Sequence, residues 1–514
     1  MNNDKVEIKY FSGYIRNWKK LCKELDIPAD LSRTDRENEI IKSAYSKWGL
    51  ELTEHIYGMF AIAIWDNAAN KLFCIRDQVG QKHMYYAVIN GEFFCSGDIN
   101  EIASTPGFEK KLNKRMLQQY LFYGFPIGNE TFYEGLYKLM PGHYAVWNGK
   151  EVSVTRYWHP VFEPDSSKTV DEWSNQLCKT IDEIMSEEKG DQEFPYKESF
   201  LSGGVDSSYL FAVSDAQVAN TVGYAESGFD ESALARHTAE VLGKGFRTKL
   251  IEPKEYFDRI PEVIDKMGQP LGDASAVAFS LGCAAVKQYA DVVYSGEGID
   301  EFFGGYNAHK RVLGEGWTYL TCSHIMSRDV VRSLMLDFDE NVDPADPISD
   351  LWKEVQGQDD LAQKLTIDIS LWLEGDIYFN TDRTSTACGI ELHTPFSDLR
   401  LFNDARRIPA NYKFAEDQNK FVFRKAASSV LPDEVAFRKK VGFAVPIRKW
   451  LADTEINRPV EEKLFGDTSK KFFDQNNLRS MWENYLAGEE MIWGRIYAIY
   501  AFLIWYDLKF VDNK

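Results

Sequence analysis

The spacing of hydrophobic residues changes near residue 160 and predicts a different kind of structure on each side of that point. Before it, short alternating apolar runs such as residues 59–65 and 72–76 stand between turn residues such as Asn90-Gly91. A period of two between turns predicts the strands of an antiparallel sheet. Residues 35–49 instead repeat apolar side chains at helical spacing. We therefore expect an α+β domain in the first part of the chain.

Beyond a polar stretch at residues 159–168, strand patterns and helix patterns follow each other in turn. A helical pattern at residues 170–185 comes first. Short apolar segments typical of buried strands then occur at residues 199–201, 221–225, 248–251 and 291–294. Such alternation predicts a parallel, doubly wound sheet, whose ligands bind at the carboxyl ends of the strands. We place the domain boundary in the polar stretch and predict domains at residues 1–165 and 166–514.

Composition and charge narrow the class of protein. The chain has 514 residues, of which 44% are hydrophobic and 27% charged, values ordinary for a soluble globular protein. A formal net charge of −20 argues against a surface for nucleic acid or anionic membranes. Seven cysteines without a Cys-x-x-Cys pair indicate neither a disulfide framework nor a zinc site. We expect a cytoplasmic protein that binds no nucleic acid and no membrane.

One stretch joins a strand pattern to a helix pattern through a glycine turn: Phe200-Leu201-Ser202-Gly203-Gly204-Val205-Asp206-Ser207-Ser208. Glycines let the backbone approach an anion closely, and unpaired N–H groups at a helix start carry partial positive charge. A Walker loop is excluded, because no Gly-Lys-Ser/Thr follows the glycines. Asp206 suits Mg²⁺ beside a polyphosphate. We predict that nucleotide phosphates bind to Ser202, Gly203, Gly204, Asp206 and Ser207.

A second loop of similar character reads Ser295-Gly296-Glu297-Gly298-Ile299-Asp300-Glu301-Phe302-Phe303-Gly304-Gly305-Tyr306. The first loop resembles the SGGxDS loop of the PP-loop ATP pyrophosphatases, and the two loops together resemble the asparagine synthetase family. Further similar segments follow in the family's order at residues 272–276, 382–398, 420–426 and 438–443. The resemblance implies an α/β PP-loop ATP pyrophosphatase domain with many helices, similar to the adenine-nucleotide α-hydrolases.

The same resemblance implies the nucleotide and metal contacts. ATP and Mg²⁺ are the implied cofactors, with Asp206 and Asp300 as the metal ligands. Leu201 and Val222 suit an apolar strand core equally well, and both roles are compatible. The implied contacts to adenosine are Leu201, Val222, Ser295 and Gly296.

Two further residues are implied to take part in catalysis. Lys440, in a segment similar to the family's RxKxGF motif, is the candidate cation for the transition state. Together with Lys439 it equally fits a solvated basic pair. Glu297 stands where asparagine synthetases carry a glutamate near the acyl-adenylate, and a carboxylate there could accept a proton from the attacking amine. A charge that caps a helix start is the alternative for Glu297.

The first domain resembles the family's glutaminase domain, an Ntn-type sandwich, at residues 58–66, 76–80 and 141–143. In full-length members a cysteine at the N-terminus attacks glutamine, whereas residue 2 is Asn2 and the first cysteine is Cys22. Ser12 and Tyr14 stand where the family carries the asparagine and glutamate that hold glutamine. Glutaminase activity without a nucleophile is physically implausible. We therefore expect a glutaminase-like remnant that serves as a scaffold.

These observations predict an ATP- and Mg²⁺-dependent ligase that adenylates a carboxylate, aspartyl-type or related, and transfers it to ammonia or an amine. Two alternatives stay open: an intramolecular amide cyclase of the lasso-peptide or β-lactam type, and a non-catalytic regulator that binds ATP. The missing nucleophile favours the cyclase, whereas Glu297 favours the first function, because β-lactam-forming relatives carry a tyrosine there. The sequence does not decide between a small-molecule and a peptide carboxylate. A separate glutaminase as ammonia source and a homodimer are also left open.

Overall fold

The structure is a computed structural model of the chain. It describes residues 6–189, 194–310, 325–415, 417–439 and 444–511. Lys440, the predicted catalytic cation, lies outside these ranges, as do the next three residues of its motif. Within the described ranges, no helix is both long and apolar enough to cross a membrane.

Antiparallel strands and five helices make up the first part of the chain. The strands are β1 (Val6–Ile15), β2 (Gly58–Asp66), β3 (Lys71–Arg76), β4 (Tyr85–Ile89), β5 (Glu92–Ser96), β6 (Leu136–Lys138), β7 (His143–Trp147) and β8 (Val152–Arg156). They form two sheets, with the orders β1-β2-β3-β7-β8 and β5-β4-β6. The helices are α1 (Trp18–Leu25), α2 (Arg33–Trp48), α3 (Leu52–His55), α4 (Ile99–Ala103) and α5 (Lys114–Tyr123).

The larger sheet is buried on both faces, and this explains the layering of the first part. On one face, Ala61 and Cys74 pack with Met84 beside the smaller sheet. On the other face, Ile62 packs with Ile40 of α2. The two sheets thus face each other with a helix layer outside the larger one. The alternating runs predicted the antiparallel strands, and the family resemblance implied the sandwich. Strands β2 and β3 lie where the runs at residues 59–65 and 72–76 placed them.

A five-stranded parallel sheet organises the second part of the chain. Its strands are β9 (Lys197–Phe200), β10 (Val218–Gly223), β11 (Gly245–Leu250), β12 (Val292–Tyr294) and β13 (Glu391–His393). Their order is β11-β10-β9-β12-β13, and each neighbouring pair runs parallel. Strands β9 to β12 overlap the four predicted segments. Strand β13 was not predicted, because polar residues occupy two of its three positions.

Helices cover both faces of this sheet and form the C-terminal region. Before residue 380 they are α6 (Val170–Glu188), α7 (Val205–Val213), α8 (Ser232–Val241), α9 (Pro253–Met267), α10 (Ser275–Val286), α11 (Ile299–Phe303), α12 (Arg328–Leu334), α13 (Ser349–Val355), α14 (Asp360–Ile367), a π-helical segment (Asp368–Tyr378) and the start of α15 (Phe379–Ala387). After α15 come α16 (Leu399–Ala405), α17 (Ala410–Lys413), α18 (Phe421–Ala427), α19 (Asp433–Ala436), α20 (Ile447–Trp450), α21 (Thr454–Leu464), α22 (Gln475–Leu486) and α23 (Trp493–Tyr506). A two-stranded ribbon joins β14 (Phe414–Ala415) to β15 (Gln418–Asn419).

The two parts of the chain share buried surface. The ring of Trp505 in α23 lies 4.9 Å from that of Phe132, and the Tyr120 hydroxyl of α5 donates to the carbonyl of Ala498 at 2.9 Å. The polar stretch at residues 159–168 forms neither helix nor strand. Its backbone N–H at Glu163 donates to the carbonyl of Arg406 at 2.9 Å. The proposed boundary after residue 165 stays a prediction.

Candidate active site

The two motif loops meet at the point where the strand order reverses. Strand β9 lies between β10 and β12, so the loop after β9 is adjacent to the loop after β12. A Cβ atom at Gly296 would lie 3.0 Å from the backbone nitrogen of Ser207, closer than real Cβ contacts normally are. Glycine is therefore required at Gly296 for this approach. This is the place at which open α/β sheets bind their ligands.

The first loop is held by hydrogen bonds of its own serines. The Ser202 backbone N–H donates to the Ser207 hydroxyl at 3.0 Å, and the Gly204 N–H donates to the Ser202 hydroxyl at 3.1 Å. Helix α7 begins at Val205, directly after this turn. Its first N–H groups have no acceptor one turn earlier in the helix, so they are available to an anion.

The carboxylates of Asp206 and Asp300 share one ammonium group. Lys420 Nζ donates to both oxygens of Asp206, at 2.8 and 2.6 Å, and to Asp300 Oδ1 at 2.7 Å. The Lys420 side chain is 1% exposed, against 15% and 13% for the two aspartates. The two predicted metal ligands thus lie together, and a cation already compensates their charge.

Sequence reasoning placed Lys420 in a motif but gave it no role. Its backbone has φ 57° and ψ 35°, the left-handed region that side chains other than glycine rarely adopt. This conformation directly precedes α18 and directs the ammonium to the aspartates. Such backbone strain is often found at functional sites.

A cavity of about 950 Å³ opens beside the two loops. Eight of the nine predicted nucleotide contacts line it: Leu201, Ser202, Gly204, Asp206, Ser207, Val222, Ser295 and Gly296. Gly203 does not line it. A Cβ atom there would meet Leu234 of α8 at 3.0 Å, and Arg438 donates to its carbonyl at 3.4 Å. The apolar wall formed by Leu201, Val222, Phe200 and Phe279 suits the flat face of a base.

Glu297 lies in the second loop and lines the same cavity. Its Oε1 accepts a hydrogen bond from the Ser295 hydroxyl at 2.9 Å, and its carbonyl accepts one from Ser397 at 2.9 Å. Lys439 also lines the cavity, whereas its neighbour Lys440 lies outside the described residues. Glu297 and Lys439 thus both line the cavity.

The pKa values of buried carboxyl groups around the cavity differ according to their partners. Burial, followed by the charge of Asp300, raises the pKa of Glu301 to about 8. Burial also raises the pKa of Asp376 well above its ordinary value, and the charges of Asp273 and Glu301 add to the effect. For Glu374 burial acts in the same direction, but the charges of Lys138 and Arg76 outweigh it and lower the pKa.

An ion cluster joins the first part of the chain to strand β13 of the parallel sheet. Its members are all at least half-buried, and we call them the interdomain ion cluster: Arg16, Arg33, Glu188, Glu391 and His393. Arg16 Nε donates to Glu188 at 2.6 Å, and Arg33 Nη2 donates to Glu391 at 2.8 Å. His393 bonds to Glu188 at 2.9 Å through Nδ1 and to Glu391 through Nε2.

Tyr14, one of the two residues expected to replace the glutamine-binding groups, lies beside this cluster. The Tyr14 ring stacks on His393 with 4.3 Å between centroids, and the Arg33 guanidinium lies 5.0 Å from the centroid of the Tyr14 ring. Tyr14 is 2% exposed. Cys22 is buried at 3% exposure in the apolar core beneath α1. Neither residue lines the cavity beside the two loops.

Comparison with known proteins identifies the family. The sequence model of the asparagine synthase family matches residues 198–507, and that of a glutamine amidotransferase domain matches residues 1–158. The chain belongs to the asparagine synthase family. This confirms the expected family, the amidotransferase-type first domain and the expected class, an asparagine synthetase-like enzyme.

Two relatives come from Bacillus subtilis (strain 168). Glutamine-hydrolyzing asparagine synthetase 1 is 27% identical over 545 residues, which cover 97% of this chain and 85% of that protein. Glutamine-hydrolyzing asparagine synthetase 3 is 25% identical over 460 residues, with 84% and 74% covered. Among solved structures, glutamine-dependent NAD⁺ synthetase from Acinetobacter baumannii has a TM-score of 0.20 and 13% identity, and the match covers 59% of this chain and 75% of that one. This structural likeness is too weak to bear on fold or function.

Proposed function

We propose that this member of the asparagine synthase family is an ATP- and Mg²⁺-dependent ligase that adenylates a carboxylate and transfers it to ammonia or an amine. The observation that carries the proposal is the pair Asp206 and Asp300, which lie together beside the glycine turn at the sheet's reversal point. Carboxylates placed next to a helix start can hold a metal–polyphosphate complex through the metal while the N–H groups bind the anion.

The residues present fit ATP. The apolar wall offers a place for adenine, and Ser295 and Gly296 line the same cavity as that wall and the aspartates. The first loop offers hydroxyl and N–H donors to the phosphates. We assign it to a PP-loop ATP pyrophosphatase domain, in which these donors bind the departing pyrophosphate.

The residues present also fit Mg²⁺, with Asp206 and Asp300 as its protein ligands. The metal supplies charge compensation for the departing pyrophosphate. In the structure described here Lys420 compensates the same two carboxylates. The phosphates of ATP bring additional negative charge, so Lys420 and a divalent cation can both be held at this place.

Two residues are proposed to act on the reacting groups. Lys440 compensates charge that develops around the α-phosphate, and Glu297 accepts a proton from the attacking amine. Glu297 lines the cavity and has a fixed orientation through Ser295. These groups produce an acyl-adenylate and pyrophosphate, and then an amide and AMP.

The nitrogen is proposed to come from ammonia or an amine rather than from glutamine on this chain. Tyr14 fills space at the position of the glutamine-holding glutamate, and Cys22 is enclosed in an apolar core. An aspartyl-type acid is the first candidate for the carboxylate. The protein is proposed to work without nucleic acid or membrane, and a separate glutaminase could supply the ammonia.

An intramolecular amide cyclase is the second candidate function. The closed surroundings of Tyr14 favour it, because a cyclase takes its nitrogen from the substrate itself. Amide formation without added ammonium salt or amine would distinguish this function from the first one.

The test is nucleotide turnover in variants of the two aspartates. Wild-type protein should release pyrophosphate and AMP, not ADP, when a screen of amino acids and peptides supplies the right carboxylate. Asp206→Asn and Asp300→Asn should slow pyrophosphate release about a hundred- to a thousandfold. Asp417→Asn, an exposed carboxylate on the same cavity, is the matched control. Normal turnover in Asp300→Asn at saturating Mg²⁺ would overturn the metal assignment.

A further inference from the structure

One end of the cavity carries buried polar groups that the nucleotide contacts do not use. Asp376 is 2% exposed and Asn380 is 4% exposed, and both line the cavity. Among the described residues, neither Asp376 Oδ1 nor Asn380 Oδ1 has a hydrogen-bond partner. Both atoms are acceptors, and one belongs to a carboxyl group. A buried acceptor without a donor is costly unless a ligand provides one.

The same end contains a third acidic side chain. Asn380 Nδ2 donates to the Ser275 hydroxyl at 2.9 Å, and Ser275 in turn donates to Asp273. Burial raises the pKa of Asp273, and the charge of Asp273 contributes to the raised pKa of Asp376. Hydrogen bonds thus join Asp273, Ser275 and Asn380. Asp376 stands four positions before Asn380 and lines the same cavity.

Aromatic side chains border this group. Phe125 lies against Gly375, where an added Cβ would come within 2.6 Å of its ring, and Trp372 crosses Phe125 edge-on with 5.7 Å between centroids. Both rings line the cavity. A carboxylate beside aromatic faces is the combination that recognises a small organic cation or ammonium.

The neighbouring acid of the same helical segment shows what Asp376 lacks. Glu374 accepts from Lys138 at 2.6 Å and from Arg76 at 3.1 Å, and both cations belong to the first part of the chain. Within the part of the chain that the structure describes, Asp376 forms no such ion pair. Glu374 and Asp376 thus stand two positions apart in one segment. The carboxyl group of Glu374 is compensated by two cations, whereas that of Asp376 lines the cavity.

The position of this group suits the acyl acceptor. Helix α10 lines the cavity from Ser275 at the acidic end to Gly282 at the apolar wall. Seven residues of helix span about 10 Å, so the acidic group lies well away from the place proposed for adenine. Glu297 and Asp300 line the cavity as well. An incoming nitrogen held near Asp376 therefore does not compete with the base for space.

We propose that Asp376, with Asn380 and Asp273, forms a subsite for a protonated amino group of the substrate. The proposal rests on the ligase function above and deepens it, because it assigns a binding place to the nitrogen donor. The shared chemistry is a positively charged N–H donor, which either an ammonium ion or an alkylammonium group provides. Both fit a carboxylate that has no cation of its own.

Direct binding of two amine probes tests the subsite. Ammonium chloride and ethylammonium chloride should raise the melting temperature of the wild-type protein above that in sodium chloride of equal ionic strength, with and without Mg²⁺–ATP. Asp376→Asn should weaken this binding about 10- to 100-fold, the usual effect of one charge-assisted hydrogen bond. Asp417→Asn should bind like wild type. A stronger effect of ammonium assigns free ammonia, and a stronger effect of ethylammonium assigns an organic amine.

Stability in the absence of amine separates a binding role from a structural one. Asp376→Asn removes a buried carboxyl group whose ionised form is unfavourable without a cation, so without amine the variant should melt no lower than wild type. As a second variant, Asn380→Lys should place an ammonium of the protein in the subsite and abolish the response to both probes.

The inference would be overturned by equal amine binding in Asp376→Asn and wild type, by no amine effect on wild type, or by a lowered melting temperature of amine-free Asp376→Asn. Failure of the ligase function is recognised separately. Absence of pyrophosphate release together with an Asp376-dependent amine effect would refute the ligase and leave the subsite standing.

Discussion

Two buried polar regions of this protein differ in how their charges are compensated. In the interdomain ion cluster, Glu188 meets both Arg16 and His393, and Glu391 meets both Arg33 and His393. In the cavity, Lys420 donates to both Asp206 and Asp300, and among the described residues Asp376 Oδ1 has no hydrogen-bond partner. Each carboxylate of the first region is thus paired twice, whereas the second region contains a buried carboxyl oxygen to which a ligand can donate.

The two regions also differ in space. The side chains of Arg16, Glu188 and His393 are at most 1% exposed, and the Tyr14 ring covers the histidine. The cavity, in contrast, keeps about 950 Å³ open beside its carboxylates. Closed polar clusters stabilise the fold and hold two chain segments in a fixed relative position. Open ones are where binding and chemistry are expected.

The largest effect is expected from breaking the closed cluster. Glu188→Gln should lower the free energy of unfolding by about 3–5 kcal/mol, because it leaves Arg16 and His393 buried without their shared carboxylate. Chemical denaturation of the purified variant measures this. Glu187→Gln is the control, since Glu187 pairs with Arg400 in a half-exposed position and should cost at most about 1 kcal/mol. Equal losses of unfolding free energy in Glu188→Gln and Glu187→Gln would show that the cluster stabilises the fold no more than a partly exposed ion pair does.

Loss of the proposed catalytic cation should affect rate rather than stability. Lys440→Ala should lower the rate constant about a hundred- to a thousandfold, or 3–4 kcal/mol, with little change in the Michaelis constant for ATP. Lys440→Arg should not restore the rate fully, because a planar guanidinium directs its charge differently. Pyrophosphate release measures the rate, and circular dichroism checks folding.

Lys439→Ala is the control for this prediction, since it removes the same charge one position earlier. Loss of turnover in Lys439→Ala with normal turnover in Lys440→Ala would mean that the motif is displaced by one residue. If neither variant loses activity, the basic pair is a solvated surface, and the catalytic cation lies elsewhere.

The closed cluster should also give stability a characteristic pH dependence. Burial alone would lower the pKa of His393, but the charges of Glu188 and Glu391 raise it above its ordinary value of 6.5. The stabilisation is therefore complete below pH 6.5 and is lost as the pH rises through the folded-state pKa, by up to about 1.4 kcal/mol per unit. Unfolding of wild type and His393→Gln across this range measures it. A constant difference between the two would contradict a charged His393.

His83 offers an internal contrast to that behaviour. Burial, followed by the charge of Arg76, lowers the pKa of His83 to about 4. Its neutral form is favoured in the folded state, so its contribution is present above pH 6.5 and is lost as the pH falls toward 4. The difference between wild type and His83→Gln should thus change in the opposite direction to that for His393→Gln.

The parts of the fold with regular apolar spacing were predictable from the sequence. Strands β9, β10 and β12 consist largely of buried residues, and the Ser202 and Ser295 loops follow two of them. Strand β13 escaped prediction because Glu391 and His393 serve the ion cluster rather than an apolar core. Their role depends on Arg33 and Glu188, whose contact with the strand is not visible in local sequence.

The same limit applies to the site. The sequence predicts the two loops and their aspartates, but Lys420 meets Asp206 from 214 positions away. A strained backbone at that lysine is a property of the fold, not of residue spacing. The unpartnered oxygen of Asp376 is equally invisible in sequence, because it depends on which cations the folded chain brings near.

The smallest effect is expected from a change at Cys22. This change tests most directly whether the closed region takes no part in the chemistry. The thiol lies in an apolar core, and burial raises its pKa, so it is neither exposed nor activated as a nucleophile. Cys22→Ala should leave amide formation from ammonium unchanged and cost at most about 1 kcal/mol of stability. Purified wild-type protein with glutamine should release no glutamate and form no amide. Asp206→Asn, which should abolish synthesis, shows that the assay responds. Glutamate release by wild type that disappears in Cys22→Ala would mean that the closed region opens to bind glutamine, and that the contrast between the two regions does not hold in solution.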